Sequence, residues 1–446
     1  MNEKNIRRKN FFKYVIPSIA AMLVTSLYVV VDGIFVGQGV GKDALGAINI
    51  AGPFIMIVVA LSMMVTIGGA TLCGISLAKE EEQKANKYFT LSMCLIIGFS
   101  FITTLITVFW SGPIVKWLGA DEVLAGDSAT YLKYFTIFCV FFCSSSALAA
   151  FVRNDGSPTL SFVGMVVGGL SNIFFDWLFI FPLNMGVKGS AIASGLGQIL
   201  SCLILLSHFF MKKSRLRFSF KTTKFVDVWE ICKRGTPEFM NQLFQPITVL
   251  CYNLLAMKVF GSIGVDSFSI VYYVLTITVA VFVGLTQGCQ PLISKAYGEN
   301  NLKDEKYYLY MGMIVNVILA LVVYLIVALL GKQIIWCFNN DEELINIGYN
   351  CMLIYGISFI PSSILIVLIS YYTAKKKTGK ALLLSTLRCL VFIPLFVFVT
   401  PMMFGKSCLW LGITIAEIFA LLTVFIIELI SKYKKPKIDN LDNKIN

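Results

Sequence analysis

Asn172 and Asp176 lie four residues apart inside an apolar run, in the stretch GGLSNIFFDWLFIFPLNMGVKGSAIASGLGQ at 168–198. On a helix that spacing puts both side chains on one face. A carboxylate in a membrane span costs about 2.5–3.5 kcal/mol on insertion scales, so its default reading is functional. Ser190 and Ser194 repeat the spacing at the start of the next apolar segment. Pro182, Gly186 and Gly189 supply a short turn between the two segments. Two neighbouring helices thus offer oxygens to one place, and one of those oxygens is ionisable. The bland alternative is a polar patch that glues two helices together. Asp32, Arg388 and Glu417 also fall inside apolar runs. For the last two a structural ion pair is the simpler reading, and substrate contact is the alternative.

The elements that must carry these residues are membrane spans. The chain has 446 residues, of which 57% are hydrophobic and only 14% charged. Soluble domains are nearer a quarter charged. Mean hydropathy is +0.79. Twelve apolar runs are long enough to span as helices. They cover 14–36, 49–72, 89–110, 131–152, 160–181, 189–211, 237–259, 268–293, 307–330, 348–373, 381–401 and 408–430. The first is too long for a signal-peptide core and is read as a retained span. The fold class is therefore an all-α polytopic membrane protein with twelve transmembrane helices.

The net charge of +12 is topological. With twelve spans both termini face one side. That side carries 29 of the 37 Lys and Arg residues, the other only 7, and Arg388 lies within a span. The positive-inside rule puts both termini in the cytoplasm of a multi-pass plasma-membrane protein. Nucleic acid is an unnecessary partner. The 12 Cys include no Cys-x-x-Cys pair, and most sit in apolar runs as small hydrophobes. The single histidine, His208, falls near the basic end of a span and reads as interfacial. Neither pattern suggests a metal centre or a hydrolase.

The chain reads as two six-helix halves. Ile75-Ser76 matches Ile293-Ser294 at an offset of 218, and Pro17 matches Pro237 at 220. The first half covers 1–211 and the second 235–432, joined by a basic linker at 212–234 and followed by a polar tail at 433–446. Parallel repeats of this kind are related by an axis along the membrane normal.

The chain resembles the MATE (multidrug and toxic compound extrusion) family, in the prokaryotic branch that holds MepA-type exporters. The resemblance rests on VDGIFVGQGVGKDALGAINI at 31–50, GGATLCGISLAKEEEQKA at 68–85 and FVRNDGSPTLSF at 151–162. It continues through SNIFFDWLFIFPLNMGVKGSAIAS at 171–194, GLTQGCQPLISKAYG at 284–298 and LRCLVFIPLFVF at 387–398. It implies a secondary antiporter that exports lipophilic or cationic compounds in exchange for H⁺ or Na⁺, with no cofactor and as a monomer. It implies a coupling site of Asp32, Asn172 and Asp176, with Ser194 and Ser190 where sodium-binding relatives place further ligands. Another branch carries an essential Glu in the seventh span, and the matching position here is Gln245. Asn154, Gln245, Gln287, Arg388 and Glu417 remain candidates for a substrate cavity. Asp32 and Asp176 fall at similar depth, and two carboxylates close together in a low-dielectric cavity cannot both ionise cheaply.

Two other functions compete. A lipid-linked sugar flippase of the same superfamily would need a cationic cavity, whereas the first half offers carboxylates and Arg388 is the buried arginine in view. A membrane-embedded transferase would need a His, Ser/His or metal constellation, and one His argues against it. No Walker motif is present, so ATP is not the expected energy source.

Overall fold

The computed structural model describes residues 3–220, 225–337 and 341–433. Apolar runs that cannot expose backbone to lipid must satisfy it within the segment, and helices do so. Among the described residues there are fifteen α-helices and no strand. The site region uses α1 (Glu3–Gly39), α2 (Lys42–Ala78), α3 (Glu82–Trp117), α4 (Ala125–Ile137) and α5 (Cys139–Asn154). It is completed by α6 (Pro158–Ile180) and α7 (Gly186–Phe210). The rest comprises α8 (Phe225–Phe260), α9 (Ser262–Gly298), α10 (Leu302–Trp336), α11 (Glu342–Gly356), α12 (Phe359–Ala374), α13 (Thr378–Thr386), α14 (Ile393–Phe404) and α15 (Gly412–Tyr433). A π-helical turn, Leu387–Phe392, joins α13 to α14.

Ten described helices are long and apolar enough to cross a membrane, and up to twelve spans result if each of two bent pairs counts as one. Those pairs are where the expected fourth and tenth runs break. α4 and α5 bend by 49° at Phe138, and α11 and α12 by 46°. No proline marks the first break, whereas Pro361 stands in the first turn after the second. At the first, the Phe138 ring occupies the place where a side chain on Gly195 of α7 would stand. Thr104 of α3 donates its hydroxyl to the Thr136 carbonyl at 2.5 Å. A hydroxyl thus meets a carbonyl beside the break, as apolar surroundings require. At the second, the Tyr324 ring lies against Gly356 in the same way.

Contacts divide the chain into two units that cut across helices. The first holds Met1–Leu243, Tyr272–Ala320 and Ile366–Leu382. The second holds Phe244–Val271, Leu321–Leu365 and Leu383–Asn446. In the first unit α6 packs along both α7 and α1. In the second, Tyr252, Phe268 and Trp410 stack and the Ile413 amide donates to the Tyr252 hydroxyl at 3.0 Å.

His208, in the last turn of α7, is buried in the protein with 1% exposure. Its Nε2 meets Asp155 Oδ2 at 2.8 Å. The segment after α7 folds back over this pair. Ser214 donates its hydroxyl to Asp155 at 2.7 Å, and the Arg217 and Ser219 amides donate to Asn86 and Thr90. The start of the basic linker is thereby strapped to the first unit. Residues 221–224 of that linker and the tail from 434 lie outside the described residues, and 225–234 form the start of α8.

Candidate functional site

Close helix packing builds the site. α6 and α7 approach through glycines: a Cβ on Gly197 would stand 2.6 Å from the Gly168 carbonyl oxygen and 3.1 Å from Asn172 Cβ. Only hydrogen fits there. The approach lets Asn172 Nδ2 donate to Ser194 Oγ at 3.1 Å. On the other side of α6, Gly169 seats the Tyr28 ring of α1, with the nearest ring carbon 3.0 Å from where a Cβ would be. Tyr28 is one turn before Asp32, so that contact sets the rotation of α1. Ser190 Oγ then donates to Asp32 Oδ1 at 2.9 Å. The five residues expected to form one site are brought together from three helices.

Asp176 is the unusual member. It is 0% exposed, and neither carboxylate oxygen accepts a hydrogen bond from a donor among the described residues. Asn172 Oδ1 is equally unpartnered. The Asp176 carboxyl group nevertheless lies beside the carboxyl group of Asp32 and the amide of Asn172. Two carboxylates are both acceptors, so that contact forms a hydrogen bond only when one carries a proton. A buried polar group left without a partner costs about 1–3 kcal/mol. Three unpartnered acceptor atoms therefore make this a place that gains from a proton or a small cation. One buried apolar cluster includes Val36 and Ile180, each four residues after one of the two acids, together with Val115, Tyr131, Leu132 and Ala191.

Tyr28 and Tyr131 are the neighbours that sequence reasoning missed. Tyr28 packs on Gly169 one turn before Asp32, and Tyr131 is 5% exposed. Tyr28 had a signal, the i−4 spacing from Asp32. Tyr131 had none, because only the fold of α4 brings it here.

Four of the remaining five candidates have other partners. Glu417 is fully buried and accepts two hydrogen bonds from Arg388 Nε, at 2.8 and 3.0 Å, and one from Nη2 at 2.5 Å. Ser362 Oγ adds another at 2.8 Å. Arg388 sits in the π-helical turn, where an extra residue per turn re-aims side chains. The pair neutralises itself. Asn154 donates to the Ala70 carbonyl at 2.7 Å, and Gln287 accepts from Arg153 at 3.1 Å. Gln245 falls on α8, and its side chain lies outside the described residues. Arg153, 6% exposed, is a buried arginine that the sequence did not reveal, whereas the Arg388 side chain is 15% exposed.

The MatE family matches residues 17–178 and again 237–398. The chain belongs to the MatE family. The two matched segments begin at Pro17 and Pro237, the prolines that open the two expected halves. As a MatE chain it is similar to the multidrug export protein MepA of Staphylococcus saprophyticus, 25% identical over 430 residues, 95% of this chain and 94% of that protein. The MepA protein of Staphylococcus haemolyticus is 23% identical over 432 residues, 94% of this chain and 93% of that one. A MATE transporter of Vibrio cholerae shares the fold with a TM-score of 0.90 at 17% identity, covering 98% of this chain and 99% of that one. An outward-facing MATE family transporter of the MOP superfamily shares it at 0.89 and 19%, covering 95% and 96%. The protein is a multi-pass membrane transporter and not an enzyme.

Proposed function

We propose that this chain exports lipophilic and cationic organic compounds across the plasma membrane in exchange for H⁺ or Na⁺. The observation that carries the reading is the buried carboxylate of Asp176, beside Asp32 and with no hydrogen bond formed to either oxygen. One positive charge satisfies Asp176, whether it is a proton shared with Asp32 or a sodium ion. Asp32, Asp176, the Asn172 carbonyl and the hydroxyls of Ser190 and Ser194 are the oxygens that would hold it. A bound compound and the coupling cation would then compete for the same negative charge. Export follows when that competition is tied to alternating access between two six-helix halves, with both termini in the cytoplasm. The names of the MepA relatives support a drug-like substrate. The engaged Arg388 argues against a diphosphate cavity, since Glu417 already takes its charge.

Ethidium efflux from proteoliposomes, driven first by an imposed pH gradient and then by an imposed Na⁺ gradient, tests the reading. Efflux under at least one gradient is expected. A protein that moves ethidium under neither, in vesicles proven tight, is not this antiporter.

A further inference from the structure

Arg153 stands in the last turn of α5, 6% exposed, with neutral partners. Its guanidinium donates from Nη1 to Ser161 Oγ and from Nη2 to Gln287 Oε1, both at 3.1 Å. Among the described residues no carboxylate pairs with it. Asp155, two residues on, is turned to His208, Ser214 and the Arg215 amide. A buried charge without a counter-charge is expensive, and a neutral amide side chain would serve the same two partners at lower desolvation cost. The charge itself therefore asks for a reason.

The surroundings supply one. Within the first unit, α9, which supplies Gln287 to Arg153, packs closely against α1. A Cβ on Gly288 of α9 would stand 2.7 Å from Val15 Cα of α1, and one on Gly284 would stand 2.8 Å from Ile19 Cα. Gln290 Nε2 of α9 donates to Thr71 Oγ1 of α2 at 2.9 Å. Asn154 ties α5 to α2 through the Ala70 carbonyl. Two of the helices that meet here, α1 and α6, also carry Asp32 and Asp176. From Ser161 to Asp176, α6 rises about 22 Å at 1.5 Å per residue. The distribution of Lys and Arg assigns the Arg153 end to the cytoplasm.

We propose that Arg153 is the electrostatic barrier of this seal, a specificity-determining residue that stops the coupling cation from passing on from the carboxylate site to the cytoplasm. The proposal rests on the antiport reading above. A cation that has reached Asp176 from outside must leave only when the seal opens, or the gradient is dissipated without export. A fixed guanidinium in a narrow, low-dielectric constriction repels such a cation strongly. Opening this end hydrates and screens the charge, so the barrier falls only in the state that must release the cation inward.

The test uses the full chain in liposomes with pyranine inside, no drug present and the potential clamped by K⁺ and valinomycin. Proton entry after an external acid pulse is the readout, with ²²Na⁺ uptake run in parallel. Arg153→Gln is expected to raise cation leak by about tenfold, whereas Arg153→Lys stays at the wild-type level. Gln287→Glu separates charge from clamping. A carboxylate there tightens the contact but cancels the charge, so a barrier predicts more leak and a mere clamp predicts the same or less. Wild-type leak in both Arg153→Gln and Gln287→Glu overturns the proposal. Gradient-driven ethidium export by wild type in the same vesicles keeps that failure distinct from failure of the antiport reading.

Discussion

The carboxyl group of Asp176 lies beside that of Asp32 and forms no hydrogen bond of its own, while the Ser190 hydroxyl donates to Asp32 at 2.9 Å. The two acids are therefore not equivalent. Asp32 is positioned by a hydroxyl, and Asp176 waits for a positive charge. That asymmetry divides the roles of the surrounding residues and leads to distinct expectations for each.

Ser194→Ala should weaken Na⁺-driven transport and spare H⁺-driven transport. The hydroxyl accepts from Asn172 and can ligate a hard cation through oxygen. It is not needed to keep a proton on a carboxyl group. Initial efflux rates under the two gradients check this, and equal loss under both would contradict the assignment.

Gly197→Val should uncouple the site by spacing rather than by charge. The added carbons would meet the Gly168 carbonyl and Asn172. Overpacking of this kind costs about 1–3 kcal/mol and here also draws Asn172 away from Ser194. Gly33→Ala is the control, because a Cβ there meets nothing within 4 Å although it adjoins Asp32. Thermal unfolding in detergent and efflux should both fall for the first variant and neither for the second. Unchanged behaviour of Gly197→Val would mean that the glycine contact does not set the site.

Glu417→Gln should destabilise the second unit while the double variant Arg388→Met with Glu417→Leu recovers. Removing one partner of a buried pair leaves the other charge uncompensated, at about 3–5 kcal/mol. Replacing both with apolar groups removes that cost. The melting temperature of the purified protein is the readout. A double variant as unstable as the single one would show that the pair does more than neutralise itself.

Much of this site was legible because its geometry is local. Asn172 and Asp176 share a helix face by spacing alone, and a short turn forces Ser190 and Ser194 onto the adjacent helix. The spans followed from apolar length. What stayed hidden depends on contacts between distant segments. The break at Phe138 has no proline or glycine of its own; its cause is Gly195, on another helix, and a Thr104 hydroxyl. The π-helical turn at Arg388 has no residue signature either. Arg153 and His208 read as residues at helix ends, where charge normally reaches water. Their burial comes from α9 in one case and from the strap after α7 in the other. Gln287, a candidate for the substrate cavity, is engaged by Arg153 for the same reason.

The central claim is that Asp176 holds the coupling charge, and Asp176→Asn tests it most directly. The amide preserves shape and removes the ionisable oxygen. Ethidium efflux is measured in proteoliposomes of matched protein content, under a pH gradient and under a Na⁺ gradient. The account predicts efflux no faster than from protein-free vesicles under either gradient, with a folded, monodisperse protein. Efflux at the wild-type rate under the gradient that drives wild type would contradict it and make Asp176 a structural residue.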